Sequence, residues 1–173
     1  GRASYADFAI AEDWYYYSYE NMAEFLRGVS DSCARLSRDL GLEVNLLLKP
    51  KRDYEAIHCQ RYKALLDSMV HAGELKTVSP KIKVSNLVDS SDFVISIPFT
   101  STGLLAAQRG VKSIYFDPSG CIEPIHFCAD NIPLISTQSE LYDYMVDNLQ
   151  TTEATEAIAL QPDKVDRGDH CIL

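Results

Sequence analysis

From residue 14 to about residue 40, apolar side chains recur at steps of three and four: Tyr15, Tyr19, Met22, Phe25, Leu26, Val29, Cys33 and Leu36. That spacing predicts an amphipathic helix with one buried stripe, and Gly41 supplies its stop. Val44-Asn45-Leu46-Leu47-Leu48 is a short apolar run ended by Pro50, which reads as a buried strand. A second helix is predicted over Tyr54 to His71, with Ile57, Tyr62, Leu65, Leu66, Met69 and Val70 on its buried side. Gly73 closes it, and a brief strand follows around Leu75 to Val78. Ser85 is placed to cap a short helix carrying Leu87 and Val88.

The pattern then tightens. Phe93-Val94-Ile95-Ser96-Ile97 is a β-branched strand ended by Pro98, and a polar turn leads into a helix over Gly103 to Arg109. Ser113 to Phe116 and Ile132 to Ile135 read as two more strands, and a helix is expected over Ser139 to Leu149. Helices alternating with short, continuously apolar strands indicate an α/β fold built on parallel strands. The expectation is a Rossmann-like parallel sheet of about five strands with helices on both faces. It occupies residues 14–150, after an N-terminal arm over 1–13 and before a polar tail over 151–173.

Composition narrows the function classes. The 173 residues are 46% hydrophobic and 24% charged, the balance of an ordinary globular domain. A net charge of −9 argues against a nucleic-acid binder, which needs a basic face to displace counterions. A small anionic ligand is compatible with that charge, because a few local cations and amides outweigh a distant acidic surface. No stretch is apolar enough for a membrane span, and no basic segment precedes an apolar one as in a signal peptide. The odd count of five cysteines, irregularly spaced, fits reduced thiols in a cytoplasm. Association with the inner face of a membrane would be peripheral at most.

Ligands of open parallel sheets bind beyond the carboxyl ends of the strands, and three loops of this chain fall there. Lys49, Lys51 and Arg52 follow the first strand, three cations around Pro50 that suit a phosphate or diphosphate. Pro98-Phe99-Thr100-Ser101-Thr102-Gly103 joins a strand to a helix start, where amides and the helix dipole meet an anion. One hydroxyl suffices for an N-cap, so Thr100, Ser101 and Thr102 in succession exceed what capping needs. Asp117-Pro118-Ser119-Gly120 is either a contact to ribose, base or sugar or plain turn chemistry. Neither glycine pattern of the Walker or dinucleotide loops is present, and no nucleophile elbow appears. Cys121, His126 and Cys128 lack a fourth ligand at a zinc-site spacing. The Tyr15 to Tyr19 cluster fits helix packing or contact with a missing partner domain.

Taken in order, Lys49-Pro50-Lys51-Arg52, Ile97-Pro98-Phe99-Thr100-Ser101-Thr102 and Tyr115-Phe116-Asp117-Pro118 resemble bacterial surface-polysaccharide glycosyltransferases of the two-domain GT-B type. The resemblance is to their C-terminal, donor-binding half, over about residues 13–150, and Asn131 to Ile135 with Glu140-Leu141 fits its last strand and helix. It implies a nucleotide-sugar donor, CMP-, CDP- or UDP-linked. Lys49, Lys51, Arg52, Thr100, Ser101, Thr102 and Gly103 would hold donor phosphate, and Pro98, Phe99, Asp117, Pro118 and Ser119 the nucleotide or sugar. No metal and no cofactor is implied, and no catalytic residue is assigned, because the acceptor domain that supplies the base has no counterpart here. The alternatives are a CDP-glycerol-type polyol-phosphate transferase half and a non-catalytic interaction module of the same fold.

Overall fold

A computed structural model describes residues 18–49, 60–98, 100–122, 131–156 and 169–172, with side chains described as far as Leu149. Helix α1 (Tyr19–Leu40) starts where Ser18 accepts a hydrogen bond from the Asn21 amide at 3.2 Å. It ends at Gly41, whose φ of 70° is the left-handed turn that the expected stop requires. Strand β1 (Val44–Leu48) and helix α2 (Gln60–His71) follow. The arm over 1–13, the expected first turn from Trp14, and residues 54–59 of the second predicted helix lie outside the described residues.

Strand β2 is only Lys76–Thr77, and helix α3 is Val84–Asp89. Its N-cap is Lys83 rather than the expected Ser85, whose hydroxyl instead donates to the Asn86 side chain at 3.4 Å. Strand β3 (Phe93–Ser96) leads into helix α4 (Ser101–Gln108), which begins two residues before the expected Gly103. Strands β4 (Lys112–Phe116) and β5 (Leu134–Ile135) precede helix α5 (Gln138–Glu156). Helix α5 runs past Leu149 into the stretch read as tail, and strand β6 (Asp169–Ile172) lies within that stretch too.

The five expected strands do not all pair with one another. They form a parallel pair, β1 with β2, and a parallel triplet, β3, β4 and β5. The expectation of one continuous five-stranded sheet is corrected there, since β1 and β3 are not neighbours. Between the two groups β6 pairs in parallel with both, Leu46 opposite Cys171 and Phe93 opposite Cys171, giving the order β2-β1-β6-β3-β4-β5. Periodicity could not reveal this strand. Asp-His-Cys-Ile is too short and too polar to read as a buried run.

Alternation along the strands assigns the two faces. Phe93 and Ile95 of β3 and Ile114 and Phe116 of β4 join one core with residues of α1, α2 and α5. Val94 packs with Leu87 and Val88 of α3 and Ala106 of α4 on the other face. Helices therefore cover both faces of the strands, as an α/β fold of parallel strands requires. Helices α1 and α5 are tied at the surface, where the Tyr142 hydroxyl donates to Asp39 at 2.8 Å and Arg35 lies 3.7 Å over the Tyr142 ring.

Burial also sets a response to alkali. Tyr62 on α2 is 6% exposed, and that desolvation pushes its hydroxyl up to about 12. A raised phenol favours the folded state fully below the ordinary pKa near 10, and that advantage is lost as pH climbs to the folded value. The chain should therefore lose about 2–3 kcal/mol of stability between those two pH values. Denaturation midpoints measured across that range should fall, and the fall should be absent in Tyr62→Phe.

Candidate functional site

Because the strands are parallel, the loops after β1, β2, β3, β4 and β5 lie at one end. The β1 loop leads outward to β2, whereas the β3 loop leads the opposite way to β4. Chain direction thus reverses between β1 and β3, and the diverging loops open a crevice there. The two strands stand about 10 Å apart, two interstrand spacings, with β6 between them. Lys49 stands on one side of the crevice and the start of α4 on the other.

Lys49 is half-buried, and its Nζ donates to the Pro80 carbonyl at 3.4 Å, joining the β1 loop to the β2 loop. Pro50, Lys51 and Arg52, expected to accompany it, lie outside the described residues, as does Phe99. Pro98 is buried against the end of β3.

Thr100 occupies the N-cap of α4 with extended backbone, yet its hydroxyl does not cap the helix. It donates backward to the Ile97 carbonyl at 3.0 Å. No side-chain hydrogen bond from the cap closes this start, so the first-turn amides are open to solvent or an anion. Ser101 is exposed and Thr102 half-buried beside them. The contrast with α5 is direct. There the Thr137 hydroxyl accepts from the Glu140 amide at 3.3 Å and the Glu140 carboxylate accepts from the Thr137 amide at 3.2 Å, a closed capping box.

Gly103 brings α4 down onto the strands. A Cβ at this position would lie 2.6 Å from the Tyr115 ring and 2.9 Å from the Ser96 hydroxyl. The Tyr115 hydroxyl donates to the Thr100 carbonyl at 3.3 Å, and the Ser113 hydroxyl donates to the Gly103 carbonyl at 3.3 Å. Ser96 is 5% exposed, and among the described residues its Oγ has no hydrogen-bond partner. A buried hydroxyl without a partner is costly, and this one sits beneath the uncapped turn. Sequence reasoning does not single out Ser96. Its only signal is a hydroxyl at the carboxyl end of an otherwise apolar run, Phe93-Val94-Ile95-Ser96-Ile97.

The loop after β4 behaves differently from its expected role. The Asp117 side chain is fully buried, and its carboxylate accepts from the Ser119 amide at 3.1 Å, the Ser119 hydroxyl, and the Ile122 amide at 3.0 Å. These bonds turn Asp117 into its own loop, so it shapes the site's wall instead of facing a ligand. Pro118 and Ser119 remain half-buried on that wall. Cys121 beside them is exposed, while His126 and Cys128 lie outside the described residues. Among the described residues no cluster of histidine, cysteine and carboxylate side chains could hold a metal ion.

The strand-end loop that leads into α4 is also what decides the comparison with known proteins. A family model described as polysaccharide biosynthesis PFTS motif protein matches residues 2–145. The chain belongs to this family. The four letters stand in the sequence as Pro98-Phe99-Thr100-Ser101, the loop between β3 and the open end of α4. In this PFTS motif protein the motif therefore lies at the strand-order reversal, with Ser96 and Gly103 on either side of it in sequence. Comparisons with curated proteins and with solved structures give no match. Membership connects the chain with polysaccharide biosynthesis. No helix among the described residues is long and apolar enough to cross a membrane.

Proposed function

We propose that this chain is the donor-binding part of a GT-B-type glycosyltransferase, its strands working as one Rossmann-like unit that holds a CMP-, CDP- or UDP-linked sugar. The observation that carries this reading is the uncapped start of α4 above the unpartnered Ser96 hydroxyl, within the PFTS loop. Donor phosphate seated there would accept from the first-turn amides and from the Ser101 and Thr102 hydroxyls, aided by the helix dipole. Ser96 would donate its proton to the same oxygen cluster.

Lys49, with Lys51 and Arg52 in its loop, would face this phosphate from the β1 side of the crevice. When an acceptor hydroxyl displaces the nucleotide, negative charge grows on the leaving phosphate. Fixed cations and amides stabilise that charge more than they stabilise the intact donor, which lowers the barrier. The base that activates the acceptor would come from elsewhere, consistent with a donor half. Asp117 and Ser119 would hold the wall against which the nucleoside packs.

The test is a thermal-shift series with CMP, CDP and UDP on the wild type, Ser101→Ala and Ser96→Ala. At about one hundred times its dissociation constant a nucleotide should add about 2.7 kcal/mol to stability. Ser96→Ala should leave the ligand-free protein as stable or slightly more so, because an unpaired buried hydroxyl has been removed. The same substitution should reduce the nucleotide-induced shift, as should Ser101→Ala. Shifts of equal size in all three proteins, or none with any nucleotide, would refute the donor-site reading.

A further inference from the structure

The turn between β2 and α3 carries a feature that the donor site does not use. Ser79 to Ile82 is closed by the Ile82 amide donating to the Ser79 carbonyl at 3.1 Å, with Pro80 stiffening it. The Lys81 amide also donates to the Ser79 hydroxyl at 3.3 Å, and Lys49 reaches the Pro80 carbonyl. This backbone presents Lys81, Ile82 and Lys83 in succession, all exposed. Among the described residues only two large hydrophobic side chains are exposed, Val70 at 39% and Ile82 at 38%. Val70 precedes His71 and Glu74 with no cation adjoining it, whereas Ile82 stands between two lysines.

Charge is distributed in the same sense. Residues 49–83 contain eight lysines and arginines against four acids, a surplus of four positive charges in a chain whose net charge is −9. The exposed edge strand β2 adds Lys76, which donates to Asn45 at 2.7 Å. An edge lysine discourages strand pairing, but that role does not require cations in the following turn or an isoleucine between them. A cationic turn with one exposed apolar tip complements an anionic, partly apolar surface.

We propose that the Lys81–Ile82–Lys83 turn docks this chain on an anionic lipid bilayer. The lysines meet acidic headgroups and Ile82 enters the boundary between headgroups and acyl chains. The turn stands at the same strand ends as the PFTS loop, so docking would place the donor crevice beside the bilayer surface. A lipid-borne acceptor is the substrate class that this arrangement serves. The placement of the crevice rests on the donor-site reading; the docking itself rests on separate residues and stands or falls alone.

The experiment is co-sedimentation of the full chain with phosphatidylcholine vesicles, with and without phosphatidylglycerol, at low and high salt. The wild type should bind only the anionic vesicles, and high salt should release it. Lys81→Ala/Lys83→Ala should weaken partitioning roughly 10- to 30-fold, as expected for two lysines leaving a charged surface. Lys81→Arg/Lys83→Arg should retain binding, and Ile82→Ser should weaken it several-fold. Arg27→Ala/Arg38→Ala on α1 removes the same charge from exposed positions elsewhere and should leave binding unchanged. Absence of wild-type binding to the anionic vesicles, or an equal loss in the α1 variant, would overturn the proposal. Nucleotide-induced thermal shifts in Lys81→Ala/Lys83→Ala should stay at the wild-type value, so failure of docking and failure of the donor site are read separately.

Discussion

Gly103→Val should destabilise the fold by about 3 kcal/mol, the cost of forcing extra methyl groups into a closed packing site. A Cβ at this position already meets the Tyr115 ring at 2.6 Å and Ser96 Oγ at 2.9 Å. Tyr115 cannot swing aside, being 1% exposed with its hydroxyl donating to the Thr100 carbonyl. Glycine is ordinarily the poorer helix residue by about 1 kcal/mol, so in an exposed helix the substitution would be neutral or favourable. The steric contact reverses that sign. Gly103→Ala should fall between, near a loss of about 1 kcal/mol, because its propensity gain offsets part of the clash. Urea denaturation checks this through a lowered midpoint at unchanged slope. Gly103→Ala/Tyr115→Leu should recover part of the loss, since the double variant removes the ring that the Cβ strikes.

Asp117→Ala should cost a similar amount, about 3 kcal/mol, for a different reason. The buried carboxylate accepts from two backbone amides and one hydroxyl, and hydrogen bonds to a charged group are the stronger kind. Alanine would leave the Ser119 and Ile122 amides without their acceptor. Asp117→Asn keeps one acceptor oxygen and should lose only about 1 kcal/mol. Amide hydrogen exchange gives an independent readout: protection at Ser119 and Ile122 should fall in Asp117→Ala before that of the strand residues does. If Asp117 faced a ligand instead, Asp117→Ala would leave ligand-free stability almost unchanged and alter nucleotide binding alone.

The two substitutions mark where sequence reasoning succeeds and where it stops. The polar loop between Ile97 and Gly103 is visible in sequence, because a β-branched run, a proline and hydroxyls in succession leave few other readings. That Thr100 turns its hydroxyl back to Ile97 and leaves the helix start open is not visible. A threonine at a helix start has both options, and only the backbone path of the loop chooses. The same holds for Asp117. Asp-Pro-Ser-Gly is a turn and a binding loop in the same letters, and complete burial of the carboxylate selects the turn. The closed end of α5 was within reach of sequence, since Thr137 and Glu140 have capping-box spacing.

Lys49 illustrates a further limit. Its loop reads as basic from Lys49, Lys51 and Arg52, but Lys81 and Lys83 join that edge only because β2 lies beside β1, with Leu48 opposite Thr77. A separation of some thirty residues carries no local signal of that adjacency.

The sequence by itself determined the kinds of element and their order. A helix must bury a stripe at a period of 3.6 residues and a strand covered on both faces must be apolar throughout, so composition along the chain records both. It also determined that hydroxyl-rich and cationic loops follow strands. The tertiary structure decided which strand ends stand together, that a pair and a triplet of strands meet across Asp169–Ile172, and that Ser96 lies unpartnered beneath α4. Those outcomes depend on contacts between residues far apart in the chain. Such contacts are selected by how whole faces pack, a property that no local window of sequence contains.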